Sequence, residues 1–185
     1  MPRIVGGAAK GRRLAVPARG TRPTSDRARE ALFNSLASLV DLDGARVLDL
    51  FAGSGAVGLE GLSRGAAAVT FVESDRGAVE VLRRNVANVG LPGAVVVRSA
   101  AASYLVASGA DEPYDLVFAD PPYGLVEDAL TVLLRTVADP RWLRPGGIVV
   151  VERSARGVGP SWPDTIEPVK DRRYGEGVLW YGRSR

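Results

Sequence analysis

Five short runs of apolar residues divide the middle of the chain: "RVLDLFA" (46–52), "AAVTFVES" (67–74), "AVVVRS" (94–99), "YDLVFAD" (114–120) and "GGIVVVERS" (146–154). Continuous rather than alternating hydrophobicity marks strands buried on both faces. Between the runs, apolar positions recur at helical spacing. "LEGLSRG" predicts a short helix ending at Gly65. Val79, Leu82, Val86 and Val89 share one helix face, and further helices fall around 101–108 and 125–138. Such alternation predicts a mostly parallel sheet with helices on both sides, a doubly wound α/β domain. Upstream, Ala28, Ala31, Leu32, Ser35, Leu36 and Leu39 predict another helix, with Thr24, Ser25 or Asp26 placed to cap it. The two ends differ from the middle. "RIVGGAAKGRRLAVP" reads as a small hairpin, "ARGTRPTSD" as an irregular arm, and "TIEPVKDRRYGEGVLWYGRSR" as a final hairpin turning at "YGEG".

The loop after the first strand, "DLFAGSGAVG", spaces Gly53, Gly55 and Gly58 as G-x-G-x-x-G between a strand and a helix. Glycines there permit a tight turn and a close approach of backbone to ligand at a helix N-terminus. Glu73 ends the second strand, where its carboxylate could accept hydrogen bonds from both hydroxyls of a ribose. A dinucleotide and S-adenosylmethionine (SAM) both suit such a site. Asp49 favours SAM: a carboxylate inside the apolar strand and pointing to the loop matches a sulfonium and an α-amino group better than a pyrophosphate.

Composition narrows the chemistry further. The 185 residues fit one core, and no apolar run approaches the length of a membrane span. The chain has no cysteine and no histidine. Disulfides, serine–histidine catalysis and most zinc chemistry are thereby excluded, and a cytoplasmic location without bound metal is expected. The net charge of +3 conceals a segregation. Residues 1–29 carry eight Lys or Arg against one acid, residues 30–169 eleven against eighteen, and residues 170–185 five against two. Basic ends on an acidic body predict a polyanionic partner, most simply nucleic acid. The expected organisation is a basic arm over residues 1–23 and a catalytic domain over 24–185.

At the end of the fourth strand, "ADPPYG" places Asp120, Pro121, Pro122 and Tyr123 on a stiff corner, across the crevice where ligands of open α/β sheets bind. These residue types suit methyl transfer to an amino nitrogen conjugated with a ring. Asp120 and the Pro121 carbonyl can hold both N–H groups, which favours the pyramidal geometry that frees the lone pair. Pro122 withholds a competing donor, and Tyr123 can stack on the base. No strong base is needed, so positioning and electrostatics should supply most of the rate.

The stretches "RPTSDRAREALFNSL", "VLDLFAGSGAVGLEGLSRGA", "FVESD", "DLVFADPPYG" and "RRYGEGVLWY" span nearly the whole chain. Together they closely resemble the RsmD-type methyltransferases, which modify the exocyclic N2 of one guanine in 16S ribosomal RNA. The resemblance implies a Rossmann-like, class I SAM-methyltransferase fold of seven strands, the last inserted antiparallel, with an N-terminal β extension used for RNA. It implies that Asp49, Ala52, Gly53 and Gly55, with Ser54 in the same loop, surround the methionine part of SAM. Glu73, followed by Ser74, is then the ribose site, and Asp120 to Tyr123 hold guanine. Arg12, Arg13, Arg22, Arg27 and Arg29 are the expected phosphate contacts, in a monomer acting on ribosomal RNA within the small subunit or an assembly intermediate. One departure stands out. Related enzymes often carry an acid after the third strand for the adenine amino group, whereas Ser99 and Ala100 occupy that place. The rival readings are an adenine-N6 methyltransferase and, on glycine spacing alone, an NAD-dependent oxidoreductase.

Overall fold

A computed structural model describes residues 2–17, 25–107, 110–122 and 124–185. Arg22, Thr24 and Tyr123 lie outside the described residues. Among the described residues, five helices and seven strands follow in the order α1 (Asp26–Leu36), β1 (Arg46–Leu50), α2 (Ala56–Ser63), β2 (Ala68–Glu73), α3 (Arg76–Val89), β3 (Ala94–Arg98), α4 (Ala101–Ala107), β4 (Tyr114–Ala119), α5 (Glu127–Val137), β5 (Leu143–Ser154), β6 (Ile166–Tyr174) and β7 (Gly177–Ser184). Caps set the helix bounds. Ser25 is the N-cap of α1 and accepts from Ala28 N–H, and Asp75 does the same for α3 through Ala78 N–H. Gly90, at φ 63°, ends α3 in the left-handed conformation that glycine adopts without steric penalty.

All seven strands form one sheet ordered β3-β2-β1-β4-β5-β7-β6. Neighbours from β3 through β5 run parallel, while β7 is antiparallel to both β5 and β6. The chain therefore moves outward from β1 to β3 and then crosses back to lay β4 on the other side of β1. This reversal opens a crevice at the carboxyl ends of β1 and β4. One face of the sheet, with Val47, Phe71, Phe118, Val150 and Tyr181, is covered by α1, α2 and α3. The other, with Leu48, Val117, Val149 and Val151, is covered by α4 and α5 around Trp142.

The expected boundary at residue 23 does not divide the core. Ile4, Ala9 and Leu14 are buried in the same cluster as Leu32, Leu59 and Phe71. The segment forms a short irregular hairpin, with Arg3 bridged antiparallel to Arg13 and backbone bonds from Ile4 N–H to the Arg12 carbonyl, Gly11 N–H to the Ile4 carbonyl and Leu14 N–H to the Pro2 carbonyl, and it wraps the end of α2. Glu60, wholly buried, accepts from Val5 and Gly6 N–H at 2.8 Å each, and Ser63 Oγ accepts from Ala9 N–H at 2.9 Å. The contact is so close that a Cβ at Gly7 (φ 75°) would lie 1.7 Å from the Ser63 carbonyl oxygen. Side-chain hydrogen bonds to backbone thus anchor on α2 the hairpin that the local sequence suggests.

Candidate active site

The first strand ends two residues earlier than its apolar run. Leu50 is the last strand residue, and Phe51 takes φ 61°, the described residues' one non-glycine at positive φ. Such a conformation costs an L-residue about 1–2 kcal/mol and persists only where its surroundings impose it. Here Ala52 N–H is held by the Val72 carbonyl at 3.0 Å, and Gly55 N–H by the Ala52 carbonyl at 2.7 Å. The glycines divide into two roles. A Cβ at Gly55 would sit 2.2 Å from Leu82 Cδ1, and one at Gly58 2.3 Å from Phe71 Cε1, so both let α2 pack closely. Around Gly53, at φ 54°, a Cβ would meet nothing within 4 Å. That is the glycine whose bare backbone faces open space.

Asp49 is 2% exposed, and its Oδ2 accepts from Gly58 N–H in the first turn of α2 at 2.9 Å. Burial pushes its carboxyl up to about 7; the Gly58 bond opposes the shift and the charge of Glu73 adds to it. Glu73 Oε2 accepts from Gly53 N–H at 2.8 Å, and its Oε1 from Asp75 N–H at 2.8 Å. Ser74 is exposed beside it. Ser54 is nearly buried, and its carbonyl accepts from the buried Asn85 amide, which also exchanges hydrogen bonds with the Ala15 backbone. Ser99 N–H donates to the Glu73 carbonyl at 3.0 Å, which ties the residue after β3 to the end of β2.

Asp120 follows β4, half-buried, its N–H directed at the Leu50 carbonyl 3.5 Å away. Burial holds its carboxyl well above the usual carboxylate range, with Glu152 and then Asp49 adding like charge. Pro121 is buried and Pro122 exposed; the Pro122 carbonyl accepts from Leu125 N–H at 2.9 Å and closes the corner. Asp49 pairs in register with Phe71 and Phe118, which lie on the α1–α3 face. With side chains alternating by twos, Glu73, Asp120 and Glu152 project from that same face. Four carboxylates therefore line one side of the crevice at the ends of β2, β1, β4 and β5. Among the described residues no three such groups converge closely enough to hold a metal ion. Glu152 escapes a strand-by-strand reading because its run "VVVERS" carries no loop motif. The signal was its place, an acid directly after the buried run of β5.

The arginines separate as well. Arg13 and Arg27 are exposed. Arg12 is also exposed, but its Nη1 donates to the carbonyls of Asn88 (2.6 Å) and Val89 (2.7 Å), capping α3. Arg29, expected among the phosphate contacts, is wholly buried: its Nη2 donates to Asp26 Oδ1 at 2.9 Å and to the Arg3 carbonyl, and its Nε lies 3.9 Å from Glu60. A guanidinium enclosed this way braces the N-terminal segment and does not reach a phosphate.

A sheet with one inserted antiparallel strand, a glycine loop after β1 and acids at the adjoining strand ends define a class I methyltransferase fold. The family model described as "Conserved hypothetical protein 95" matches residues 2–183. The ribosomal RNA small subunit methyltransferase D of Escherichia coli K12 is 44% identical over 164 residues, covering 87% of this chain and 79% of that protein. The chain belongs to this family, the RsmD family. Its Haemophilus influenzae relative of the same name is 36% identical over 155 residues, 81% of this chain and 77% of that protein. Among solved structures, the putative methyltransferase yhhF of Escherichia coli superposes with a TM-score of 0.85 at 36% identity, covering 100% of this chain and 98% of that one. A hypothetical protein of Thermus thermophilus gives 0.81 at 35%, covering 98% of each.

Proposed function

We propose that the chain transfers a methyl group from SAM to the exocyclic N2 of a guanine in small-subunit ribosomal RNA. Methyl transfer to ribosomal RNA follows from the family and its named relatives. Guanine N2 and the residue roles rest on the site's chemistry. The residues present fit SAM: Gly53 leaves open space beside its backbone, Glu73 offers two carboxylate oxygens for ribose hydroxyls, and the buried Asp49 suits a cationic centre. When bound, SAM supplies an electrophilic methyl on a sulfonium.

The observation that carries the reading is the placement of Asp120 across the β1–β4 reversal from the Gly53 loop. Asp120 and the Pro121 carbonyl orient the target amino group, and the buried surroundings strengthen those hydrogen bonds. Flipping a guanine out of folded RNA costs a few kcal/mol, which phosphate contacts from Arg12, Arg13 and Arg27 help to offset. Arg22 and Tyr123 are proposed for phosphate contact and base stacking on sequence grounds. No helix among the described residues is long and apolar enough to cross a membrane. The proposed setting is the cytoplasm, with a monomer meeting the small subunit or an assembly intermediate.

The deciding experiment is tritiated-methyl transfer onto small subunits and onto naked ribosomal RNA from a strain lacking the gene, followed by nucleoside analysis. N2-methylguanosine is the expected product. N6-methyladenosine would overturn the guanine reading.

A further inference from the structure

We infer that Glu152 is a specificity residue that accepts the N1–H of the target guanine beside Asp120. The inference rests on the guanine-N2 reading above and goes beyond it by assigning a residue that tells guanine from other purines with a 2-amino group.

The guanine edge that carries N2 presents three donors: two amino N–H groups and N1–H. Asp120 and the Pro121 carbonyl account for the first two, so a third acceptor is required, or a buried donor is stranded at a cost of about 1–3 kcal/mol. The sheet register supplies one. The last β4–β5 ladder pair is Ala119 with Val151, so the next position sets Asp120 beside Glu152, on the same face. Neighbouring strands are about 4.8 Å apart, a spacing at which two carboxylates meet adjacent groups of one base edge. Their proximity registers electrostatically, since Glu152 is the foremost charge raising the Asp120 carboxyl. Glu152 is half-buried, and the start of β7 confines it. A Cβ at Gly177 would come within 2.9 Å of Glu152 Oε1.

An acceptor facing N1 discriminates. Guanine offers N1–H, whereas 2-aminopurine carries the same 2-amino group but an N1 lone pair, which a carboxylate repels. A site built to bond a substrate N–H rejects an analogue lacking it strongly. The amide of Glu152→Gln can present either its oxygen or its NH2, so it serves both bases.

The test uses the full chain and small-subunit RNA ligated to carry guanosine or 2-aminopurine riboside at the position the wild-type protein methylates. The wild type should favour guanosine by roughly 100-fold in kcat/KM. Glu152→Gln should narrow that ratio about tenfold or more, with SAM affinity and the thermal midpoint little changed. Because each ratio is taken within one protein, the loss of the base's O6 cancels between proteins, as in a double-mutant cycle. Gly177→Ala, which displaces the carboxylate while retaining its charge, should narrow the ratio in the same direction. An unchanged ratio in Glu152→Gln, with N2-methylguanosine still the wild-type product, overturns the role of Glu152 alone. A wild-type product other than N2-methylguanosine overturns the guanine reading itself.

Discussion

Glu73 and Gly53 are joined by a 2.8 Å hydrogen bond from the loop N–H to the strand-end carboxylate, whose other oxygen holds Asp75 N–H. The residue proposed for ribose thus also fixes the loop proposed for the methionine part of SAM. Glu73→Ala should weaken SAM binding roughly 10- to 100-fold, more than one lost ligand contact accounts for, because the loop loses its anchor. The same change should lower the stability of the ligand-free protein by about 1 kcal/mol. Calorimetric titration and denaturant unfolding measure the two effects. An affinity within twofold of wild type would remove Glu73 from the ribose site.

The glycine loop makes a sharper distinction. Gly53→Ala adds a methyl group to open space at φ 54°, so it should cost only about 1–2 kcal/mol of stability yet abolish measurable SAM binding. Gly55→Ala drives a Cβ to 2.2 Å from Leu82 Cδ1 at φ 79° and should destabilise the fold by about 3 kcal/mol or more. Thermal unfolding alongside SAM titration checks whether the two glycines separate in this way.

Asp49 predicts a pH dependence. Its folded carboxyl titrates at about 7 instead of 3.8, so the folded state binds the proton more tightly than the unfolded one. The stability this proton contributes is complete below about pH 4 and is lost as pH rises through about 7. A cationic ligand favours the ionised form, so SAM affinity should rise with pH across the same window and binding at pH 6 should release a proton. Calorimetry in buffers of different ionisation enthalpy reads that proton, and Asp49→Asn should abolish its release. Persistence of the release in the variant would assign it to another group, Asp120 being the first to check.

Asp120→Ala should reduce kcat by at least about 100-fold, the scale of one lost transition-state contact, and leave SAM affinity within a few-fold. Single-turnover methyl transfer with saturating RNA isolates that step. Near-normal turnover would exclude Asp120 from the chemistry.

Arginines of the N-terminal region should divide by burial. Arg29→Ala removes a buried partner of Glu60 and should cost about 3 kcal/mol or more in denaturant unfolding. Arg13→Ala and Arg27→Ala should leave stability within about 0.5 kcal/mol and each lower the salt dependence of RNA binding by about one ion. Filter binding across a salt series provides the slope.

Much of this was legible along the chain. The five central strands, the closing hairpin, a cap within Thr24–Asp26 and the glycine loop each carry a local signal and appear where hydrophobic run, cap and turn chemistry place them, although β3, read as buried on both faces, is the sheet's edge and leaves Val95 54% exposed. What was not legible depends on partners remote in sequence. "RVLDLFA" reads as strand through Ala52, but Phe51 turns left-handed because the Val72 carbonyl holds Ala52. The helix expected to reach Leu39 stops at Leu36. "RIVGGAAKGRRLAVP" reads as a small hairpin in a basic arm, and only the structure shows Glu60 and Ser63, more than fifty positions away, drawing it into the core. Arg29 shows the same limit, since its charge is visible in the sequence and its burial is not. Glu152 acquires meaning only from the register that sets it beside Asp120.

β7 follows β6 in the chain yet lies between β6 and β5. During synthesis β6 emerges before the strand that must join it to the sheet, so the apolar flank of β5 stays uncapped until β7 has left the ribosome. Interrupted translation before that point would leave a ready template for strand addition, making unfinished chains of this protein prone to clump.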